Sequence, residues 1–252
     1  MLDSILSREP LQNRKIRSIR SLARAAAAAA LLFAATSAMA QTASPQTADN
    51  PQTLVFIRHG EKPKEGLGLL TCQGLNRALM LPDWFIAHFP PPDSIFAPDP
   101  KVKRTELHGD GQRYDYVRPL LTIGPTAARL GVPINTQLPF NDPGLLADTL
   151  LEPQYRHETI YLAWEHTNIL EFAEVMLARF GSQAKVPEWP NSDYETVFVF
   201  TIDWGTPGSM NFRVESQGLG PMSDTCPRAM GDEVSGSDPV GIPGGGNIAP
   251  QR

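Results

Sequence analysis

Cysteine is nearly absent, with Cys72 and Cys226 the only two in 252 residues. Two are too few for a scaffold built on disulfides, and no histidine stands close enough in sequence to complete a zinc motif with them. Long apolar runs are missing as well: no stretch reaches the ~20 residues that cross a bilayer. Basic residues are outnumbered, 22 Lys and Arg against 27 Asp and Glu. That balance argues against a general nucleic-acid binder, whose affinity rests on many cationic contacts to phosphates. No internal repeat marks the chain as a solenoid or an array.

The basic residues present are unevenly placed. Residues 1–40 hold Arg8, Arg14, Lys15, Arg17, Arg20 and Arg24, then an apolar stretch from Ala25 to Ala35, then Ala38-Met39-Ala40 before Gln41. A basic start, an apolar centre and a small-x-small site are the parts of a secretory signal, so the mature chain is expected to begin near residue 41 and to be periplasmic or secreted, with no membrane span. The segment takes six of the 22 basic and two of the 27 acidic residues with it, which leaves a net charge of −9 on the remainder. One local phosphate site is compatible with that field, because a few arginines dominate within a Debye length of ~8 Å. Export also makes a Cys72–Cys226 disulfide and two buried free thiols both compatible with the sequence.

Residues 41–52 are rich in Thr, Ser, Ala, Pro and Gln and read as a flexible linker. The stretch that follows organises the rest. Thr53 to Ile57 is β-branched, aromatic or leucine throughout, the composition of a strand buried on both faces, and it stops in Arg58-His59-Gly60-Glu61. At the C-terminal end of a strand in an open α/β sheet those polar residues face the ligand crevice. Gly60 lets the backbone turn and approach a ligand, and an arginine fork beside an imidazole suits a tetrahedral oxyanion.

Further on, Thr71 is placed to cap a helix running to about His88, with Pro82 predicted to end or kink it. Residues 94–98 form a short strand, and residues 99–113 a polar insertion over a pocket. Tyr114 to Leu130 has helical spacing interrupted by Pro125, Val132 to Leu138 is a strand and Pro143 to Leu151 a short helix. Thr159 to Trp164 repeats the buried-strand pattern and ends in Glu165 and His166; a helix from Asn168 to Phe180 and strands at residues 196–202 and 209–215 follow. From residue 218 the chain thins into Gly, Pro, Ser and Asp, a tail with disorder expected from Val234. Strands alternating with helices predict one domain over residues 53–217, a three-layer α/β/α fold with a mainly parallel central sheet. On it His59 and His166 share one crevice although 107 positions separate them.

Arg58-His59-Gly60-Glu61, Arg118 opening a helix after the second strand, and His166 after a later strand together resemble the histidine phosphatase superfamily, the phosphoglycerate mutase-like and acid-phosphatase-like fold, over about Leu54 to Phe180. The resemblance implies that His59 is a nucleophile that becomes transiently phosphorylated. It implies that Arg58 and Arg118 bind the phosphoryl oxygens, that His166 is the second pocket histidine, and that neither metal nor other cofactor takes part. Two arginines around a transferring phosphoryl group stabilise its equatorial charge. For the attacking histidine the ring nitrogen opposite the nucleophile should be held by a carbonyl. The proton donor is less defined. Some branches place an Asp after the second histidine, where this chain has Thr167; others use a carboxylate after the third strand, here Asp142. Glu165, beside His166, and Glu61 are further carboxylates in reach of the motif.

Plainer roles are open to the same residues. Arg118 could pair with Asp115 on a helix surface, and Lys101, Lys103 and Arg104 form either a solvated loop or a grip on a second anionic group. His88, His108 and His157 read as surface, Trp84 and Trp164 as core. The function expected is hydrolysis of a small phosphorylated substrate, with a phosphomutase and a catalytically silent anion- or partner-binding member as alternatives.

Overall fold

The computed structural model describes residues 50–227. The basic leader, most of the linker and the chain beyond residue 227 lie outside the described residues. The elements in chain order are β1 (Gln52–Arg58), α1 (Cys72–His88), β2 (Ser94–Phe96), β3 (Arg104–Thr105), β4 (Arg113–Tyr114), α2 (Arg118–Leu130), β5 (Ile134–Asn135), α3 (Pro143–Leu150), a 3₁₀ turn (Pro153–Tyr155), β6 (Thr159–Trp164), α4 (His166–Arg179), β7 (Thr196–Asp203) and β8 (Ser209–Ser216).

Six strands form the central sheet in the order β5-β2-β6-β1-β7-β8. The first four are parallel to one another, and β7 and β8 extend the sheet antiparallel. Alternation along β1 feeds two cores. Leu54 and Phe56 face Leu146 and Leu150 of α3 and Ile169, Phe172 and Met176 of α4. Val55 and Ile57 face Leu81, Trp84 and Phe85 of α1 and Ile123 and Ala127 of α2. Each such side chain taken out of water contributes ~1.5–3 kcal/mol, and β1, buried on both faces, is the axis of the three-layer fold. Among the described residues no helix is long and apolar enough to cross a membrane.

Several elements differ from their sequence-based bounds for local reasons. Tyr114 to Val117 is not helical; α2 begins at Arg118 because Pro119, which has no N–H to lose and a fixed φ, sits in its first turn. Helices α1 and α2 run through Pro82 and Pro125 without ending. The third strand shrinks to Ile134–Asn135, an edge strand with Pro133 before it. Helix α4 starts at His166, two residues early, because the Glu165 side chain caps it by accepting from Asn168 N. Residues 99–113 are more than loop, since β3 and β4 pair antiparallel as a hairpin. The expected loose tail is fastened over its described part: a disulfide joins Cys72 to Cys226, Gln73 donates to Met222 O, and Asn76 donates to Ser223 O and Thr225 O.

Candidate active site

Strand pairing brings the two histidines together. Arg58 is in register with Trp164, and His59 N donates to Trp164 O at 2.9 Å, so the chain leaves β1 and β6 at the same edge of the sheet. A cavity of about 230 Å³ opens there, lined by Arg58, His59, Arg118, Glu165 and His166 together with Lys62, Arg104, Glu106, His108 and Asn191. It lies at the C-terminal ends of the parallel strands, where open α/β sheets hold their ligands.

His59 is 2 % exposed, and its Nδ1 donates to Gly60 O at 2.7 Å. A carbonyl can only accept, so the proton is on Nδ1 and the Nε2 lone pair is free. Burial, then the Arg118 and Arg58 guanidinium groups, hold its pKa well below the ordinary imidazole value, so the ring is neutral at neutral pH. Tyr116 and Tyr194 stand beside the ring with centroids at 6.1 and 6.3 Å.

The arginines are held by their backs. Arg58 Nη1 donates to the carbonyls of Asn191 at 2.9 Å and Asp193 at 2.8 Å, with Pro190 O at 3.4 Å, and its guanidinium lies over the Tyr194 ring at 4.1 Å. Arg118 Nη1 donates to Gly66 O and, at 2.5 Å, to Glu106 Oε1, while Arg118 Nε and Nη2 and Arg58 Nε are buried without a protein partner. Arg118 is thus not the surface residue of an Asp115 pair; Asp115 faces Lys103. Glu165 is 1 % exposed and accepts from Asn168 N and Nδ2, approaches Arg104 at 3.5 Å, and lies 2.9 Å from His166 Nδ1 in a bent contact. Its burial opposes ionisation, but His166, Arg104 and the Asn168 N–H outweigh it and hold the carboxyl well below the usual carboxylate range.

Three of the expected site residues have local partners that the sequence does not show. Asp142 does not reach the cavity: its carboxylate caps α3 by accepting from Leu145 N, and Pro143 after it sets the start of the helix. Glu165 reaches the cavity because it is a helix cap and not a strand residue facing away, and its oxygens face Arg104, His166 and the Asn168 N–H groups. Gly60 does not line the cavity. Its N–H donates to Thr122 Oγ1, and its missing side chain lets α1 come close, since a Cβ there would stand 2.9 Å from Gly74 Cα. Glu61 pairs with Arg77, away from the cavity.

Glu106 went unread in the sequence. It is 3 % exposed, pairs with Arg118 and stands 3.8 Å from Lys62. Gly66, at φ +92, leaves room for its carboxyl, where any Cβ would fall 2.3 Å from Glu106 Cδ. Of the insertion's cations only Arg104 lines the cavity, stacked against Tyr116 and Phe140 at 5.6 and 5.5 Å, and His108, taken as surface, is at the rim. No local pattern marks Glu106; only the placing of the insertion over a pocket points near it. Among the described residues no group of three His, Cys, Asp or Glu side chains is arranged to hold a metal ion.

No family model matches the chain, and no curated protein matches it in sequence. Solved structures do. A phosphoserine phosphatase variant from Entamoeba histolytica in complex with phosphoserine is 15% identical, with 66% of this chain and 98% of that one covered and a TM-score of 0.42. A mycobacterial glucosyl-3-phosphoglycerate phosphatase with inorganic phosphate is 14% identical, over 65% of this chain and 95% of that one, with a TM-score of 0.40.

Proposed function

We propose that the chain is a phosphomonoester hydrolase acting through a phosphohistidine at His59. The observation that carries this is the neutral, buried His59 ring, fixed by Gly60 O with Nε2 unprotonated, between two arginines that keep unpartnered N–H groups. In the first step Nε2 attacks phosphorus, the bond from phosphorus to the ester oxygen breaks, and that oxygen takes a proton. In the second step water attacks phosphorus, the P–N bond breaks, phosphate leaves and the proton from water returns to the donor. Arg58 and Arg118 stabilise the equatorial oxygens in both steps. Glu106 is the carboxyl placed to carry the proton: when Arg118 turns its donors to the phosphoryl group, Glu106 loses its pair, takes the proton that a phosphate monoanion brings and passes it to the leaving oxygen, and in the second step it takes the proton of the attacking water. No step calls on a metal, and the compact, cationic cavity suits a small substrate.

The basic and apolar leader supports export of the enzyme to a periplasm or the medium, and fractionation of cells expressing the full chain tests that. Export also disfavours a mutase, whose phosphorylated intermediates are cytoplasmic. One observation favours a second reading, an anion-binding member without turnover: Glu106 occupies Arg118, as a built-in substitute for a ligand. His59→Ala separates the two. Turnover of p-nitrophenyl phosphate in the presence of chelator, lost in that variant, with phosphate trapped on His59 of the parent by alkaline quench, is the expected result. Phosphate binding without turnover in the parent would leave the second reading.

A further inference from the structure

Arg58 is oriented by a loop, and that loop is in turn oriented from behind. The three carbonyls that receive Arg58 Nη1 and the ring beneath its guanidinium all belong to residues 190–194. Trp189 Nε1 donates to Asp193 O, and the Asp193 carboxylate accepts from Glu195 N, Thr196 N and Thr196 Oγ1, which fixes the loop's return into β7. Directly after it Glu195 accepts from Arg77 Nη1 at 2.5 Å and, through its other oxygen, from Leu219 N at 2.9 Å. Gln217 N donates to Glu195 O, Gln217 Oε1 accepts from Arg77 Nη1, and Arg77 Nη2 donates to Gly220 O. Residues 217–226 therefore run as a strap from the end of β8, behind Glu195, to the start of α1. There the strap is bonded to Gln73 and Asn76 and closed by the Cys72–Cys226 disulfide across 154 positions. Its anchoring is uneven: Gln217 is buried and Leu219 packs against the core beside Glu195, Met222 is half-buried, and residues 223–227, up to the disulfide, are exposed.

Polar contacts at the exposed end of the strap hold it weakly once its covalent pin is gone, because each only exchanges a protein partner for water. We infer that the strap is a positioning element for the phosphate-binding arginine: through Glu195 and residues 190–194 the Cys72–Cys226 bond holds Arg58 in its binding geometry, so that the redox state of two cysteines outside the cavity sets the affinity of the site for phosphate. The inference rests on the phosphate-site reading of Arg58 and takes it further, to a thiol-disulfide control. The covalent step is ordinary exchange, in which a thiol or phosphine reductant attacks one sulfur, the S–S bond breaks and both cysteines end as thiols.

The test titrates inorganic phosphate into the full chain, oxidised, reduced with a phosphine and reoxidised, and into the Cys72→Ser/Cys226→Ser variant, which cannot close the strap. Limited proteolysis reports release of residues 217–226 and far-UV circular dichroism reports the fold. The expected result is a strap cut only when the bond is open, and a phosphate Kd at least ~10-fold higher with the fold kept, within the ~10²-fold that a 1 Å misplacement costs. Reoxidation restores the wild-type value, and in turnover KM rises and kcat falls together, because Arg58 holds the phosphoryl oxygens in the bound state and in both steps. A released strap with unchanged affinity overturns the inference, as does a strap that stays protected with the bond open. Loss of affinity that follows loss of circular dichroism also overturns it, because the bond then acts on the whole fold. Absence of turnover in the oxidised parent bears on the hydrolase reading alone, since the phosphate titration does not depend on it.

Discussion

Two buried arginines, Arg77 of α1 and Arg118 of α2, are treated differently. At Arg77 all three guanidinium nitrogens have acceptors, supplied by Glu61, Glu195, Gln217 and Gly220 O. At Arg118 only Nη1 has them, and two nitrogens are buried without a partner in the protein. A buried polar group left unpaired costs ~1–3 kcal/mol, so the first arrangement fits an arginine that holds the fold and the second one that awaits a ligand. Arg58 has the character of the second: Nη1 donates to three carbonyls and Nε has no acceptor. The lesson is that the number of donors already spent, and not burial, separates a structural from a binding arginine.

The sharpest way to break this comparison is Arg118→Met. Phosphatase kcat should fall by ~10³-fold, the lower range for a transition-state arginine, and it should not return when Glu106→Gln is added to relieve the carboxylate left unpaired. Steady-state kinetics of the single and double variants check this; near-normal turnover in either would remove Arg118 from the site. Arg77→Met is the mirror experiment. It should lower unfolding free energy by about 3–5 kcal/mol in urea, the loss on breaking a buried pair, since it leaves Glu61 and Glu195 facing each other. Chemistry at the bound phosphate should persist in that variant, with kcat reduced far less than in Arg118→Met.

Glu106→Gln alone sharpens the comparison from the acid's side. Hydrolysis of an alkyl phosphate should slow by ~10²-fold, whereas p-nitrophenyl phosphate, whose leaving oxygen needs little help, should change much less. Equal losses for both substrates would take the proton donor away from Glu106. Asp142→Ala should have the smallest effect, about 1 kcal/mol of stability from the lost cap of α3 and unchanged kcat, read by thermal unfolding and assay together.

Much of the fold was legible because burial repeats locally. β1 and β6 announce themselves by unbroken apolar runs, and the four helices by period and caps, although Pro119 and Glu165 shifted two starts. Arg58, His59 and His166 were legible because strand ends are where an open α/β sheet gathers ligands, whereas Arg118 was legible only through the resemblance of the motif set. Asp142 was misread because a carboxylate before Pro looks the same whether it caps a helix or faces a cavity. Glu106 was not read at all, since nothing within a few residues of it shows that Arg118 and Gly66 will close around it.

By itself the sequence determined the layered α/β plan, the phosphate-suited motif at the end of β1 and the cysteine pair available to close a loop, because these follow from periodicity and composition within single segments. Tertiary structure alone decided which guanidinium nitrogens stay free, which carboxylate stands beside them and that the strap reaches the loop behind Arg58. Those outcomes depend on the distances between residues such as Glu106 and Gly66, or Glu195 and Leu219, which chain folding sets and no local pattern encodes.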